Sequence, residues 1–158
     1  MTHLTFRRLW VGFFLSCVPA LAVSDTLAGR VTRVLDGDTV DVWTDTGVKE
    51  RVRLREIDAP EKTQEAGGAS AGSLSGLVLN QPVTVEYVQR DRYHRILGTV
   101  YFAGQDINRT QVERGMAWVY RQYSQNADYL VLESQAKAQH RGLWVGTPTP
   151  PWEFRHGR

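Results

Sequence analysis

The stretch LAGRVTRVLDGDTVDVWTDTGVKERVRLREI, residues 27–57, decides the fold. It is rich in Val, Leu and Thr, which suit a pleated, half-buried surface, and it is broken twice by Gly and Asp. The pattern predicts three strands, over 27–35, 40–44 and 49–57, joined by turns at Asp36-Gly37-Asp38 and Asp45-Thr46-Gly47. Gly37 is able to take a positive φ in the first turn. Pro60 ends the third strand and holds Ala59 extended.

Downstream, residues 66–79 place Ala71, Leu74, Leu77 and Val78 at helical spacing. Gly67, Gly68, Gly72 and Gly76 weaken that helix, each internal glycine costing about 1 kcal/mol against alanine. A helix is still expected, because the loop it would otherwise become is too long for a compact domain. Residues 82–89 alternate Val83, Val85 and Tyr87 against Thr84, Glu86 and Val88, and 95–102 follow a charged turn, which predicts a hairpin of strands four and five. Asp106 can cap a helix running to Arg114 and stopped by Gly115, with Ile107 and Val112 inward. A last helix spans 126–140, offering Leu130, Leu132, Ala136 and Ala138 for packing, while Phe102, Trp118, Tyr129 and Trp144 read as core. Five strands with a helix between the third and fourth is the order of an α+β OB-fold barrel, here with about three helices over residues 24–146. The proline-rich tail, 147–158, is expected to lie extended over the barrel without forming an element.

A length of 158 residues leaves room for one domain. Its first 23 residues read differently: Arg7 and Arg8 precede an uncharged apolar run that ends in Ala20-Leu21-Ala22, the composition of a secretory signal peptide. The run is shorter than the roughly 20 residues a spanning helix needs. The expected product is exported, periplasmic or secreted, with no membrane association after signal removal and no obligate protein partner implied. Cys17, the only cysteine, would leave with the signal, so no disulfide is available and the core must hold the fold. Losing Arg7 and Arg8 from 19 basic residues balances the 17 acidic ones, so a nucleic-acid partner cannot be argued from net charge. Position is more informative: Arg51, Arg53 and Arg55 alternate, Arg90, Arg92 and Arg95 cluster, and Asp36, Asp38, Asp41, Asp58 and Glu61 form an acidic set.

Four short patterns carry the chemistry. Asp36-Gly37-Asp38-Thr39 sits at the first turn, Arg53 lies shortly before Asp58-Ala59-Pro60-Glu61, and Asp91-Arg92-Tyr93-His94-Arg95 lies at the hairpin. A lone Asp-Gly-Asp is usually a solvated turn, and alternating arginines are usually the wet face of a strand, a reading that suffices for Arg51 and Arg55. Together the patterns suit a phosphodiesterase. Asp38, Asp58 and a carbonyl such as that of Ala59 are hard oxygen ligands that favour calcium or magnesium over zinc. Arg53 and Arg95 can hold a phosphate and offset charge building at phosphorus, and Glu61 is free to orient or deprotonate the attacking water.

These residues and their order resemble the staphylococcal nuclease family over residues 27–144, and the Pro-Pro-Trp-Glu-Phe end at 150–154 fits as well. The resemblance implies a calcium-dependent nuclease that hydrolyses DNA and RNA, single strands preferred, to products with 3′-phosphates. It also implies roles. Asp38 and Asp58 match the calcium carboxylates, Ala59 the position whose backbone oxygen binds the ion, and Asp36 the carboxylate beside them. Arg53, Glu61 and Arg95 match the catalytic residues, and Arg92 and Tyr93 fall where a terminal nucleotide phosphate is contacted. Tyr120 and Tyr123 both lie near the position of a second nucleotide-stacking tyrosine. His94 stands where the best-known member has glycine, Ala59 replaces a threonine, and the glycine-rich helix after Glu61 is unusual. The rival from another class is an inactive OB module that binds single-stranded nucleic acid; it would be favoured by loss of a charged site residue, and all are present.

Overall fold

The computed structural model describes residues 24–157, so the expected signal segment and Cys17 lie outside them. In chain order the elements are β1 (Asp25–Asp36), β2 (Thr39–Thr44), β3 (Lys49–Leu54), β4 (Ile57–Asp58), α1 (Gly67–Val78), β5 (Pro82–Arg90), β6 (Ile96–Phe102), β7 (Gln105–Asp106), α2 (Ile107–Glu113), β8 (Trp118–Val119), α3 (Ala127–Ala138), a 3₁₀ turn at Gly142–Val145 and α4 (Pro151–His156). β1 pairs antiparallel with both β2 and β5, β2 with β3, and β5 with β6. A parallel pairing of β3 with β6 closes the circuit into a five-stranded barrel, the OB-fold expected from the order of elements. β1 serves two neighbours because it bends: its register with β2 shifts between Val31 and Arg33 and again between Val34 and Asp36.

Alternation aims Val31, Val40, Val42, Val52, Leu54, Val85, Ile96 and Val100 into the barrel, where all are fully buried. Leu74 and Val78 of α1 and Ile107 and Val112 of α2 complete the same core. α2 and α3 begin on side-chain caps, Asp106 accepting from the amide of Arg109 (2.9 Å) and Asn126 from those of Asp128 (3.1 Å) and Tyr129 (3.3 Å). Trp118 and Tyr129 are buried as expected, Phe102 and Trp144 half-buried. Ala138, expected to pack, is exposed, and the inner face of α3 is instead Tyr129, Leu132, Glu133 and Ala136.

Two expectations need correcting. The third strand does not run to Ile57. It leaves the barrel at Leu54, turns through a left-handed Glu56 (φ 67°), and resumes as β4 paired with β8. Asn108 stabilises the exit by donating to the carbonyls of Arg55 and Gly98, 3.1 Å each. Gly37, between β1 and β2, does not use the left-handed region open to it. Glycine is required there because a Cβ would collide with the Ser70 hydroxyl of α1 and stand 2.7 Å from the Ala59 side chain. The tail, finally, lies over the barrel but does form an element: it is extended at Pro150 and helical from Pro151, a proline at the first helical position, where its missing N–H costs nothing.

Candidate active site

The turn between β1 and β2 and the exit from β3 meet at Asp38. This carboxylate is buried, and its Oδ2 accepts from the amide of Ala59 (2.6 Å) and lies 3.0 Å from Arg53 Nη2; its Oδ1 accepts from the Thr39 hydroxyl (3.1 Å). Asp36 Oδ1 accepts from the Asp38 amide (3.1 Å), which fixes the turn from behind. Arg53 gives its other terminal nitrogen to the carbonyls of Leu54 (2.6 Å) and Ile57 (2.8 Å), stapling the stretch between β3 and β4. From β4, Asp58 brings Oδ1 to within 2.9 Å of the Arg53 Nη2 that also meets Asp38. One guanidinium nitrogen thus gathers the two carboxylates. Asp41 belongs elsewhere, paired across β2 and β3 with Arg51 (2.8 Å), while Arg55 donates to Thr99 (2.8 Å).

Glu61 follows on a tight loop. Its amide donates to Gln64 Oε1 (3.1 Å), its carbonyl accepts from the Gln64 amide (2.8 Å), and Gly67 packs so closely on that carbonyl that a Cβ would overlap it. The same Gln64 side chain donates to the Thr149 carbonyl (2.5 Å), which ties the loop to the tail. From α4, Arg155 then reaches both acids: it lies 2.8 Å from Asp58 Oδ2 and 2.8 Å from Glu61 Oε1. Those two hydrogen bonds, Asp58 first, outweigh the cost of its partial burial and hold the guanidinium firmly charged.

Arg95 enters from the β5–β6 hairpin. The parallel register sets Val52 beside Ile96 and Arg53 beside Leu97, so Arg95, just before β6, lies two residues ahead of the partner of Arg53. Asp91 fixes it, its Oδ2 accepting from Arg95 Nε (2.7 Å) and its Oδ1 from the amides of Tyr93 and Arg95 (2.9 Å each). Burial pushes the Asp91 carboxyl up, but the Arg95 guanidinium and these amides outweigh it and hold the group below its usual range. The turn uses a left-handed His94 (φ 62°), so histidine fills the conformation that glycine takes more easily. Tyr93 is 64% exposed, with the Arg92 and Arg95 guanidinium carbons 5.1 and 5.5 Å from its ring centroid. Among the described residues no ion pair joins Arg95 to Asp38, Asp58 or Glu61.

The two tyrosines separate. Tyr120 is half-buried and lies flat against Trp152 of α4 (centroids 5.9 Å, planes 5° apart), whereas Tyr123, edge-on to Tyr120, is 66% exposed. Tyr123 is the one with an open ring surface, and Tyr120 is part of the seat that holds the tail.

The donor set fits a hard divalent cation. Among the described residues no group of three or more His, Cys, Asp or Glu side chains is placed to hold a metal ion, so Asp38, Asp58 and a backbone carbonyl could fill only part of a calcium ion's six to eight oxygen positions. The charge balance argues for a cation all the same: among the described residues Asp38, Asp58 and Glu61 pair with two cations, Arg53 and Arg155, while Asp36 adds negative charge beside Asp38 and has Arg51 in its field. Burial pushes Asp38 up to about 8 against the pull of Arg53, and neighbouring Asp36 and Asp58 push the same way. A buried carboxylate held toward its neutral form is returned to its charged form by a cation bound beside it.

Arg155 and Asp91 were not singled out in the sequence. Asp91 stands at the head of a quoted motif, and an aspartate opening a turn toward an arginine four residues on was the available signal. For Arg155 the signal was Pro151 as a helix start, with Trp152 and Arg155 one helical turn apart.

The chain matches, over residues 51–146, the family model described as Staphylococcal nuclease homologue. That segment contains Arg53, Asp58, Glu61 and Arg95, and Asp36 and Asp38 precede it. It is 50% identical over 130 residues to an uncharacterized endonuclease of Escherichia coli, covering 81% of this chain and 84% of that one. It is 42% identical over 127 residues to an uncharacterized endonuclease of Haemophilus influenzae, covering 80% and 71%. With a micrococcal nuclease of Shigella flexneri the identity is 40% over 150 residues, covering 87% and 84%.

Proposed function

Since this chain belongs to the staphylococcal nuclease family and is a nuclease, we propose that it is an exported, calcium-dependent enzyme that hydrolyses phosphodiester bonds of DNA and RNA, single strands preferred, and leaves 3′-phosphate ends. The observation that carries this reading is the meeting of Asp38 and Asp58 on one Arg53 nitrogen, with Glu61 one bridging guanidinium away. Asp38, Asp58 and the Ala59 carbonyl would hold calcium, with Asp36 bracing Asp38 through its amide. Bound there, calcium would supply Lewis-acid polarisation of a phosphate oxygen.

The chain's own groups do the rest. Arg53 and Arg95 would offer planar donors to the phosphate and offset the charge that grows on its oxygens during in-line attack. Glu61, fixed by Gln64 on a short loop, accepts a proton or hydrogen bond from the attacking water. Arg92, Tyr93 and the exposed ring of Tyr123 lie outside this centre and suit a terminal phosphate and a stacked base. Export rests on the basic start and apolar run of residues 1–23. The experiment is cleavage of labelled single-stranded DNA and RNA with calcium, with magnesium and with EDTA. Products are then treated with a 3′-phosphatase and their mobility compared. Cutting that survives chelation overturns the calcium assignment, and binding without cutting under any divalent ion overturns the enzymatic reading of this site.

A further inference from the structure

The tail is built into the site. Pro151 is buried, Trp152 is lodged between the flat face of Tyr120 and the edge of Trp118 (centroids 6.4 Å, planes 77° apart), and Gln64 bonds Thr149 with one end of its amide and the Glu61 backbone with the other. The loop that aims Glu61 and the segment that carries Arg155 are therefore registered on one side chain. Arg155 lies three residues beyond Trp152, one helical turn away and on the same face, so the aromatic anchor sets where its guanidinium falls.

We propose that Arg155 is a positioning residue of the nuclease centre: it holds the Glu61 carboxylate by Oε1 and occupies Asp58 until a divalent ion takes that carboxylate. The inference rests on the proposed calcium site and extends it. Gripping a carboxylate by one oxygen fixes its plane while the other oxygen can still accept from water, which is what a water-orienting group needs. On Asp58 the same guanidinium stands in for the missing positive charge, so ion and arginine compete there. The two contacts predict effects of opposite sign. Removing Arg155 frees Asp58 for the ion and loosens Glu61.

The test uses the full mature protein as wild type, Arg155→Ala and Arg155→Lys, with calcium alone as the probe in titration calorimetry, and kcat and KM on a short single-stranded DNA at saturating calcium. The expected result for Arg155→Ala is calcium binding several-fold tighter, kcat lower by roughly 10-fold or more, and KM little changed, because the loss falls on an arrangement needed in the transition state. Arg155→Lys keeps the charge but not the fork, so it should return calcium affinity toward wild type and recover little kcat. Arg155 is partly exposed, and a thermal midpoint for each variant checks that the fold is kept. Unchanged affinity and kcat in Arg155→Ala make Arg155 a bystander. Weaker calcium binding with a lower midpoint makes it scaffold, and a rise in both affinity and kcat makes the tail an inhibitor; each overturns the proposal. If wild type binds no calcium, the metal site itself fails; if wild type binds and cuts while the variants match it, only this inference does.

Discussion

Arg53 donates to two backbone carbonyls and meets two buried carboxylates, so its removal deletes a staple as well as a phosphate donor. Arg53→Ala should lose about 3 kcal/mol of stability, because it leaves Asp38 and Asp58 buried beside each other without their shared cation. Arg95 is half-buried on a hairpin and engages only Asp91 among the ion pairs, so Arg95→Ala should cost under about 1 kcal/mol. Each change should slow single-turnover cleavage by roughly 100-fold or more if both arginines act on the transition state. Urea melts beside cleavage rates separate the two effects, and an Arg95→Ala enzyme as fast as wild type would remove Arg95 from the site. Asp91 supplies a pH test of its own. Its folded pKa is depressed, so its contribution is present above the unfolded value near 4 and is lost as pH falls through the folded one. The urea midpoint of wild type should therefore exceed that of Asp91→Asn at about pH 6, and the two should converge as pH falls below the ordinary carboxylate range. Spacing along the sequence was enough to group Asp38, Arg53, Asp58 and Glu61, because short turns bring near neighbours together. It could not find Arg155, which reaches Asp58 from 97 residues away through packing of Trp152.

α1 shows how one residue type can be a cost at one position and a requirement at another. Gly72 and Gly76 lie on its exposed stripe, and a Cβ at either meets nothing within 4 Å. Alanine at each should raise stability by about 0.5 to 1 kcal/mol through helix propensity and a less flexible unfolded chain, read as a higher urea midpoint with an unchanged slope. Gly67 is the opposite case: its absent Cβ makes room for the Glu61 carbonyl. Gly67→Ala should destabilise and also slow cleavage, by displacing the loop that aims Glu61, whereas Gly72→Ala should leave the rate alone. A Gly67→Ala protein with wild-type kinetics would show that the Glu61 loop tolerates displacement. An element with clear periodicity, such as the first half of β5, is legible because alternation and burial agree. The break after Leu54 is not, since Arg55, Glu56 and Ile57 continue a plausible strand pattern and only barrel closure against Gly98 forces the chain out. α4 was hidden by its prolines, which rule out a helix interior but favour a helix start.

Across the whole molecule, an apolar barrel with no cysteine among the described residues carries a compact acidic pole made from the ends of β1, β3 and β4. The barrel was legible because five strands and one intervening helix leave few ways to close a core; the pole's state of charge was not, since it depends on burial and on Arg155. Arg53 and Arg155 are the ion-pair partners of Asp38, Asp58 and Glu61 among the described residues, and burial, with neighbouring Asp36 and Asp58 behind it, pushes Asp38 up to about 8 against the pull of Arg53. An ion that binds only the folded pole must stabilise the whole barrel, by about 2.7 kcal/mol at a hundred times its Kd. At the size of this domain each kcal/mol moves the midpoint by roughly 3 to 5 °C, so saturating calcium should raise Tm by on the order of 10 °C over EDTA. Magnesium should raise it less, because two carboxylates and a carbonyl suit irregular coordination better than a strict octahedron. The control is Asp58→Asn, which keeps the side chain's size while removing one ion-binding charge; its Tm should be nearly insensitive to calcium. If wild type melts at the same temperature in calcium and EDTA, the acidic pole binds no ion in the folded state. If Asp58→Asn shows the full calcium shift, the ion binds elsewhere on the molecule.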